Sequence, residues 1–262
     1  MIENLFILII IILISYMGYL LRSLSFSGTI AAIFVGMAIY AGYGVKGLIL
    51  LGVFFATSSF WSKYKAASKS RLEEKLAKGA RRDWRQVIAN GGGAALFSML
   101  SFIHYDKAWL IGFIVCLASA NSDTWASEIG SLSKKNPIDI RSFVRVEKGT
   151  SGAISLLGST AALFGSLIIS ISSLLLFQLS IIYGVMVFLF GYIGNVLDTL
   201  IGAYYQQLYR CNECGIETEK KFHCHSPTKR IKGIAFVDND MVNFLSGFLA
   251  AILAIVVFML TK

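Results

Sequence analysis

The sequence predicts an all-α polytopic membrane protein with about eight transmembrane helices and a small metal-binding loop, forming a single transmembrane domain over residues 1–262. Three observations carry this expectation. Of the 262 residues, 56% are hydrophobic, and the mean hydropathy is +0.68, which is outside the range of a soluble domain. The apolar residues come in runs near the roughly 20 residues a helix needs to cross the hydrocarbon core. Lys and Arg are gathered into a few loops rather than dispersed.

In chain order the expected spans are residues 2–21, 27–43, 46–60, 88–103, 108–121, 152–175, 181–200 and 241–260. The first lacks a basic leading region and a small-residue cleavage site, so it reads as a helix rather than a secretion signal. Ala32-x3-Gly36 in the second marks close helix packing. Residues 61–87 form a basic amphipathic segment: over 61–78, Leu72 and Leu76 share a face, Glu74 and Lys78 make a supporting pair, and Gly79 ends the helix. Such a segment is expected to lie along the membrane surface. The fourth and fifth spans are short, as expected of helices that are tilted, broken or sheltered by neighbours. Residues 203–235 form a Cys/His loop between the last two spans.

The basic residues orient the chain. Residues 61–87 carry nine, 122–151 five and 201–240 six, so 20 of the 24 Lys and Arg occupy three loops. With eight spans these loops share one side, which the positive-inside rule makes cytoplasmic in a bacterial-type plasma membrane. Both termini are then external. The net charge of +9 is mainly a topology signal, available to anionic headgroups or a phosphorylated substrate. No nucleic-acid-binding module accompanies it.

Polar clusters interrupt the spans on that same side. Asn90 opens the fourth, Asn121 and Asp123 close the fifth, Thr150-Ser151 opens the sixth, Asn195 and Asp198 close the seventh, and Asp238 to Asn243 opens the eighth. Ionisable groups at membrane depth are costly and point to a site. The carboxylates Asp123, Glu128, Asp198, Asp238 and Asp240, with Asn121, Asn195 and Asn239, suit a hard cation such as magnesium, which takes oxygen ligands and substrate phosphates. On a continuous helix Asp123 and Glu128 would sit roughly 140° apart. A helix break at Asn121-Ser122-Asp123 is therefore expected, the alternative being that one of the two carboxylates is a structural partner.

Lys148, Gly149, Thr150, Ser151 and Gly152 combine a cation, flexible backbone and hydroxyls before a helix start, a pattern that favours phosphate and also suits an ordinary N-cap. Arg81, Arg82 and Arg85 precede Asn90-Gly91-Gly92-Gly93 in a similar way, and the glycines serve either ligand approach or helix packing. Cys211-x2-Cys214 followed by His223-Cys224-His225 lies where a disulfide is disfavoured. Three thiolates and one imidazole, from His223 or His225, make a closed and structural tetrahedral zinc site. Cys116, inside a span, is a packing residue.

The blocks Arg82-x-Trp84-x-Gln86-Val87-Ile88-Ala89-Asn90-Gly91-Gly92, Ala120 to Gly130, Lys148 to Gly152, Gly194-Asn195-x2-Asp198-Thr199 and Asp238-Asn239-Asp240-x-Val242-Asn243 resemble the integral-membrane family that contains plant phytyl-phosphate kinase. The likeness runs over roughly residues 22–255. It implies phosphoryl transfer from a nucleoside triphosphate to an isoprenyl monophosphate, giving the diphosphate. Asp123, Glu128 and Lys148 would be catalytic. Arg82, Gln86, Asn90, Gly91, Asn121, Thr150, Ser151, Asn195, Asn239 and Asn243 would hold nucleotide or phosphate. Magnesium would sit on Asp123 and its neighbouring carboxylates, and the family's Cys-x2-Cys with a later His-Cys selects Cys211, Cys214, His223 and Cys224 for structural zinc. A looser resemblance to CTP-using polyprenol and phytol kinases implies CTP as donor, although Thr124 replaces their common Pro and Gly149 separates Lys148 from Thr150. The chain has no Gly-x4-Gly-Lys-Ser/Thr motif, which speaks against a P-loop mechanism. Two other classes fit the cationic rim: a lipid-phosphate transporter or flippase, and a CTP-dependent lipid cytidylyltransferase.

Overall fold

The computed structural model describes residues 2–73 and 76–261, the side chains of 70–73 excepted. Its helices are α1 (Ile2–Leu20), α2 (Phe26–Lys63), α3 (Ala66–Glu73), α4 (Trp84–Ile103), α5 (Lys107–Gly130), α6 (Leu156–Phe177), α7 (Ile181–Tyr204) and α8 (Asn239–Leu260). Six of them are long and apolar enough to cross a membrane. One of these, α2, is two arms joined at Gly44, whose φ of 59° and ψ of −150° no helix tolerates and which suits glycine. Lys63 Nζ donates to the Leu21 carbonyl at 2.7 Å, so the second arm returns to the end from which the first departs. The two arms correspond to the second and third expected spans.

The helix α5 is not among the six: it is too polar at its end for a free-standing span and is enclosed instead. It packs against α2, α4, α6, α7 and α8, and Leu110 to Ser122 are all buried. Its neighbours carry the lipid-facing surface: Leu5, Leu13 and Met17 on α1, and Leu253, Val256 and Met259 on α8, are exposed. In lipid such faces need no cover, because the helix satisfies its own backbone.

Small residues let α7 close on α5. A Cβ on Gly191 would meet Ser166 Oγ at 2.3 Å and Ala118 Cβ at 2.6 Å, and one on Gly194 would meet Ser119 Oγ at 2.0 Å. Ser166 and Ser170 on α6 donate to the Phe188 and Gly184 carbonyls of α7, each at 2.7 Å, giving the small-residue contacts and polar links typical of membrane helices.

Three expectations are corrected. First, α5 does not break at Asn121-Ser122-Asp123. It runs unbroken to Gly130 because Asn121 is locked between helices: its Oδ1 accepts from Thr57 and Ser58 on α2, and its Nδ2 donates to the Gly165 carbonyl of α6 at 2.7 Å. Second, α6 starts at Leu156, not near Thr150. Its N-cap is Ser155, whose Oγ accepts from the Gly158 amide, while 150–152 form a turn directly ahead of β2 (Ala153–Ile154), which pairs antiparallel with the earlier β1 (Ile138–Asp139). Third, residues 61–78 are not one surface helix. Trp61 to Lys63 belong to α2, α3 ends at Glu73, and 76–80 are non-helical. The Glu74–Lys78 pair and the Leu72 side chain lie outside the described residues.

The loop between α7 and α8 carries the remaining strands. β3 (Leu208–Arg210) pairs antiparallel with β4 (Glu217–Thr218) and with β7 (Lys229–Lys232), and β5 (Phe222–His223) pairs with β6 (Ser226–Pro227). The start of α1 lies beside the first arm of α2 near its turn, where Tyr40 donates to Asn4 Oδ1, and the end of α8 lies beside the start of α7, where Phe258 meets Tyr183.

Candidate functional site

The ends of α2, α4, α5, α6, α7 and α8 that carry polar residues meet around a polar chamber. Two adjoining cavities, of about 280 Å³ and 210 Å³, share Asp123, Asp198, Glu219 and Asn239 in their walls. The first also takes in Arg82, Gln86, Asn90, Glu128, Asp238, Asp240 and Asn243. The second takes in Asn195 and Lys148 to Gly152. Four of the five clusters expected to converge do so; the fifth, from α5, contributes Asp123 but not Asn121, which is buried in the helix packing described above and touches neither cavity.

The carboxylates divide into two groups. Glu128 receives Lys69 Nζ at 2.6 Å. Asp240 receives Lys78 Nζ at 2.5 Å and lies 3.7 Å from Arg85 Nε. Asp238 caps α8 by accepting from the Met241 amide and receives Arg85 Nη2 at 2.6 Å. Glu128 and Asp238 are thereby held as partners of basic side chains. Lys78 also reaches Asp83 at 2.8 Å. Partial burial acts to raise the Asp83 carboxyl, but Lys78 and the Gln86 amide outweigh it and hold the carboxyl below its usual value.

Asp123 and Asp198 differ. Their carboxyl groups face each other within hydrogen-bonding range, and among the described residues neither has a Lys or Arg partner. Asp198 Oδ2 accepts from Ser246 Oγ at 3.1 Å and, with the Asn243 amide turned to donate, from its nitrogen at 3.0 Å. Two half-buried carboxylates so placed need a proton or a cation between them. With hydroxyl and amide groups already orienting one of them, the pair is an oxygen-donor seat for a hard cation.

Each remaining expected residue has a definite place. Arg82 is fixed through its backbone: its amide donates to the Ser23 carbonyl at 3.0 Å, its carbonyl accepts from Ser25 at 2.9 Å, and a Cβ on Gly28 would strike that carbonyl oxygen at 2.2 Å. Its Nη1 donates to Ser59 Oγ. Burial lowers the guanidinium pKa, and the charge on Glu128 opposes that shift. Gln86 closes a capping box with Asp83 at the start of α4. Asn90 donates to the Gln86 carbonyl. Gly91 faces Val35 in an apolar cavity and not the chamber. Lys148 Nζ donates to the Ser131 carbonyl at 3.0 Å, and Thr150 Oγ1 to the Glu147 carbonyl. The Asn195 carbonyl accepts from Thr199.

Glu219 and Gln206 belong to the chamber without a sequence signal. Ser151 Oγ donates to Gln206 Oε1 at 2.7 Å, and Gln206 Nε2 donates to Glu219 Oε1 at 2.7 Å. Glu219 also accepts from the Ala77 amide. Burial pushes its carboxyl up to about 6, with those donors opposing the shift and Asp240 and Asp238 adding to it. In the sequence Glu219 sits in the charged run Glu217-Thr218-Glu219-Lys220-Lys221, which reads as solvated. Only the folding of β3, β4 and β7 turns it inward.

The same loop gathers Cys211, Cys214, His223 and Cys224, whose ligand atoms all lie within 4.8 Å of one another. His223 Nδ1 is 3.4 Å from Cys214 Sγ and 3.2 Å from Cys224 Sγ, spacings that fit a tetrahedral metal site. Gly215, at φ 74°, donates to the Cys211 carbonyl and closes the first ligand turn. Cys224 and His225 adopt left-handed φ in the second. His223, not His225, faces the cluster. The Cys214 and Glu213 amides draw the Cys211 thiol down to about 6, so it is ready to ligate as a thiolate.

The chain matches the family model described as integral membrane protein DUF92 over residues 9–251. It is 31% identical to Protein PGR of Arabidopsis thaliana, across 97% of this chain and 96% of that protein. It is 36% identical to the uncharacterized membrane protein MJ0933 of Methanocaldococcus jannaschii, across 71% and 76%. It is 27% identical to Protein VTE6, chloroplastic, of Arabidopsis thaliana, across 90% and 66%. No solved structure matches the chain.

Proposed function

The chain belongs to the DUF92 integral membrane family, and from that premise we propose that it is a membrane-embedded kinase that moves a phosphoryl group from a nucleoside triphosphate, CTP in particular, to an isoprenyl monophosphate. The observation that carries the reading is the Asp123–Asp198 pair, which has no basic partner among the described residues and lies in a chamber otherwise rimmed by Arg82, Lys78, Lys69 and Lys148. A divalent cation and polyphosphate together suit that arrangement.

Asp123 and Asp198 would hold magnesium, which would supply charge neutralisation for the nucleotide phosphates. Asn243 and Ser246 hold Asp198 in place for it. Lys148 and the amides around Gly149 and Gly152, both at φ 82°, offer donors to the nucleotide phosphates, and Arg82 meets the acceptor phosphate from the opposite wall. An oxygen of the lipid phosphate attacks the γ-phosphorus, and the bond from that phosphorus to the β-bridging oxygen breaks. The products are the lipid diphosphate and a nucleoside diphosphate. The acceptor is already anionic, so no strong base is required and positioning dominates.

The Cys211, Cys214, His223 and Cys224 set holds zinc in this reading and is structural, since all four coordination positions are filled by the protein. It steadies the hairpin that brings in Gln206 and Glu219. The chamber faces the cytoplasm and both termini are external, in keeping with the distribution of Lys and Arg.

Acceptor preference tests the proposal. With purified protein, magnesium and CTP, a prenyl monophosphate is expected to be consumed at least tenfold faster than the matching alcohol, because the alcohol leaves Arg82 unpaired. Equal or better use of the alcohol refutes it. Release of pyrophosphate in place of nucleoside diphosphate would make the protein a cytidylyltransferase. Saturable binding of the lipid phosphate without turnover would make it a transporter.

A further inference from the structure

A third cavity, of about 360 Å³, lies within the membrane-spanning part between α1, the two arms of α2, and α4, a volume within the range of small-molecule sites. Its walls are apolar along most of their length, with Ile10 and Ile11 from α1 and Val35 and Leu48 from the arms of α2. Ile14, Val45 and Ile49 on its margin are exposed, so it opens sideways toward lipid. At its polar end it terminates on Arg82, Gln86 and Asn90, and these same three residues wall the chamber that holds Asp123 and Asp198.

That junction defines the occupant. A gap between lipid-facing helices would end on apolar or self-satisfied groups. This one ends on a guanidinium with no carboxylate in ion-pair range among the described residues, its Nη1 donating only to the neutral Ser59 hydroxyl and its charge set over the Phe55 ring at 5.8 Å. The Arg82 backbone is pinned on both sides by Ser23 and Ser25, so the cation is held at the boundary between the apolar and polar spaces. We propose that this groove holds the hydrocarbon tail of a single-chain isoprenyl monophosphate, with its phosphate on Arg82 and its reacting oxygen directed into the chamber. The inference rests on the lipid-phosphate reading of the chamber and adds where the lipid enters and what sets its chain length. Entry is lateral, past Ile14 and Ile49.

Gly52 makes the groove testable. It lines the cavity, and a Cβ built there meets nothing within 4 Å, so a large side chain projects into the space without striking backbone. The experiment uses the full chain in lipid nanodiscs and a prenyl monophosphate of four isoprene units carrying a diazirine at the tail end. Crosslinking is run without nucleotide, and the labelled peptides are identified. The expected labels fall on α1 and on the second arm of α2, are competed by unlabelled lipid, and drop about tenfold in Gly52→Phe, where the ring displaces several tail methylenes. Leu253→Phe, on the exposed face of α8, leaves them unchanged. Wild-type labels confined to α6 and α8 would overturn the groove without recourse to any variant, as would undiminished labelling of a folded Gly52→Phe protein. Groove labelling that persists while no acceptor is phosphorylated would sustain the tail site and overturn the kinase reading.

Discussion

Glu219→Gln changes one atom and separates the burial cost of a charge from everything else in the chamber. In the folded chain the Glu219 carboxyl is raised from 4.5 to about 6, burial being the largest cause, a difference corresponding to about 2 kcal/mol. The folded state holds this proton more tightly than the unfolded chain does. Stability therefore falls as pH rises from 4.5 to about 6, and the cost is fully present above that interval. Gln cannot ionise and matches the neutral acid in shape. It keeps an acceptor for Gln206 Nε2, and its NH2 group replaces the oxygen that accepts from the Ala77 amide at 3.3 Å, a loss of about 1 kcal/mol. The variant is thus expected to be slightly less stable than wild type at pH 4 and more stable at pH 7.5, a swing of about 2 kcal/mol. For a chain of this size that is about 4–8 °C in Tm, readable by thermal melting of both proteins in the same detergent and magnesium-free buffers. A Tm difference that stays flat across this pH range would refute the placement of Glu219 as a partly desolvated carboxylate in the chamber wall.

Asp198→Asn and Asp123→Asn should each lower magnesium-dependent turnover at least a hundredfold while the protein still folds, since each removes charge and keeps shape; near-normal turnover with unchanged magnesium dependence would remove that residue from the cation site. Cys214→Ser should lose the single bound zinc per chain and, because Gln206 and Glu219 depend on the hairpin, most of the turnover with it; metal analysis finding no zinc in wild-type protein purified without chelators would refute the site. Single cysteines near 140 and 220 should react only from the cytoplasmic side and one near 105 only from outside; external labelling near 140 would invert the orientation.

Helix existence was legible because lipid imposes one period and one length on every span, and even the turn between the second and third spans is marked by Gly44. Boundaries at the polar ends were less so. Asn121 reads as a site residue because a buried amide is expensive, yet that cost is met by Thr57, Ser58 and Gly165, partners far away in sequence. The same applies to the carboxylates. Composition groups Asp123, Glu128, Asp198, Asp238 and Asp240 as equals, and only the folded positions of Lys69, Lys78 and Arg85 single out Asp123 and Asp198. The metal loop was legible from Cys-x2-Cys spacing, because ligand geometry is local. Its inward face, with Glu219, was not, because it depends on how β3 meets β7 and on Gly233, at φ 79°, passing against the Gln206 carbonyl.

The most direct test follows the transferred phosphoryl group itself. Wild-type protein and Asp198→Asn are incubated in nanodiscs with a long-chain prenyl monophosphate, magnesium and γ-labelled nucleoside triphosphates, each supplied in turn, and label in the extracted lipid is identified by mass. Label is expected in a prenyl diphosphate, with one nucleoside diphosphate formed per lipid phosphorylated and loss of both in the variant. Label that never enters the lipid with any nucleotide, or enters it equally with Asp198→Asn, would contradict the kinase reading.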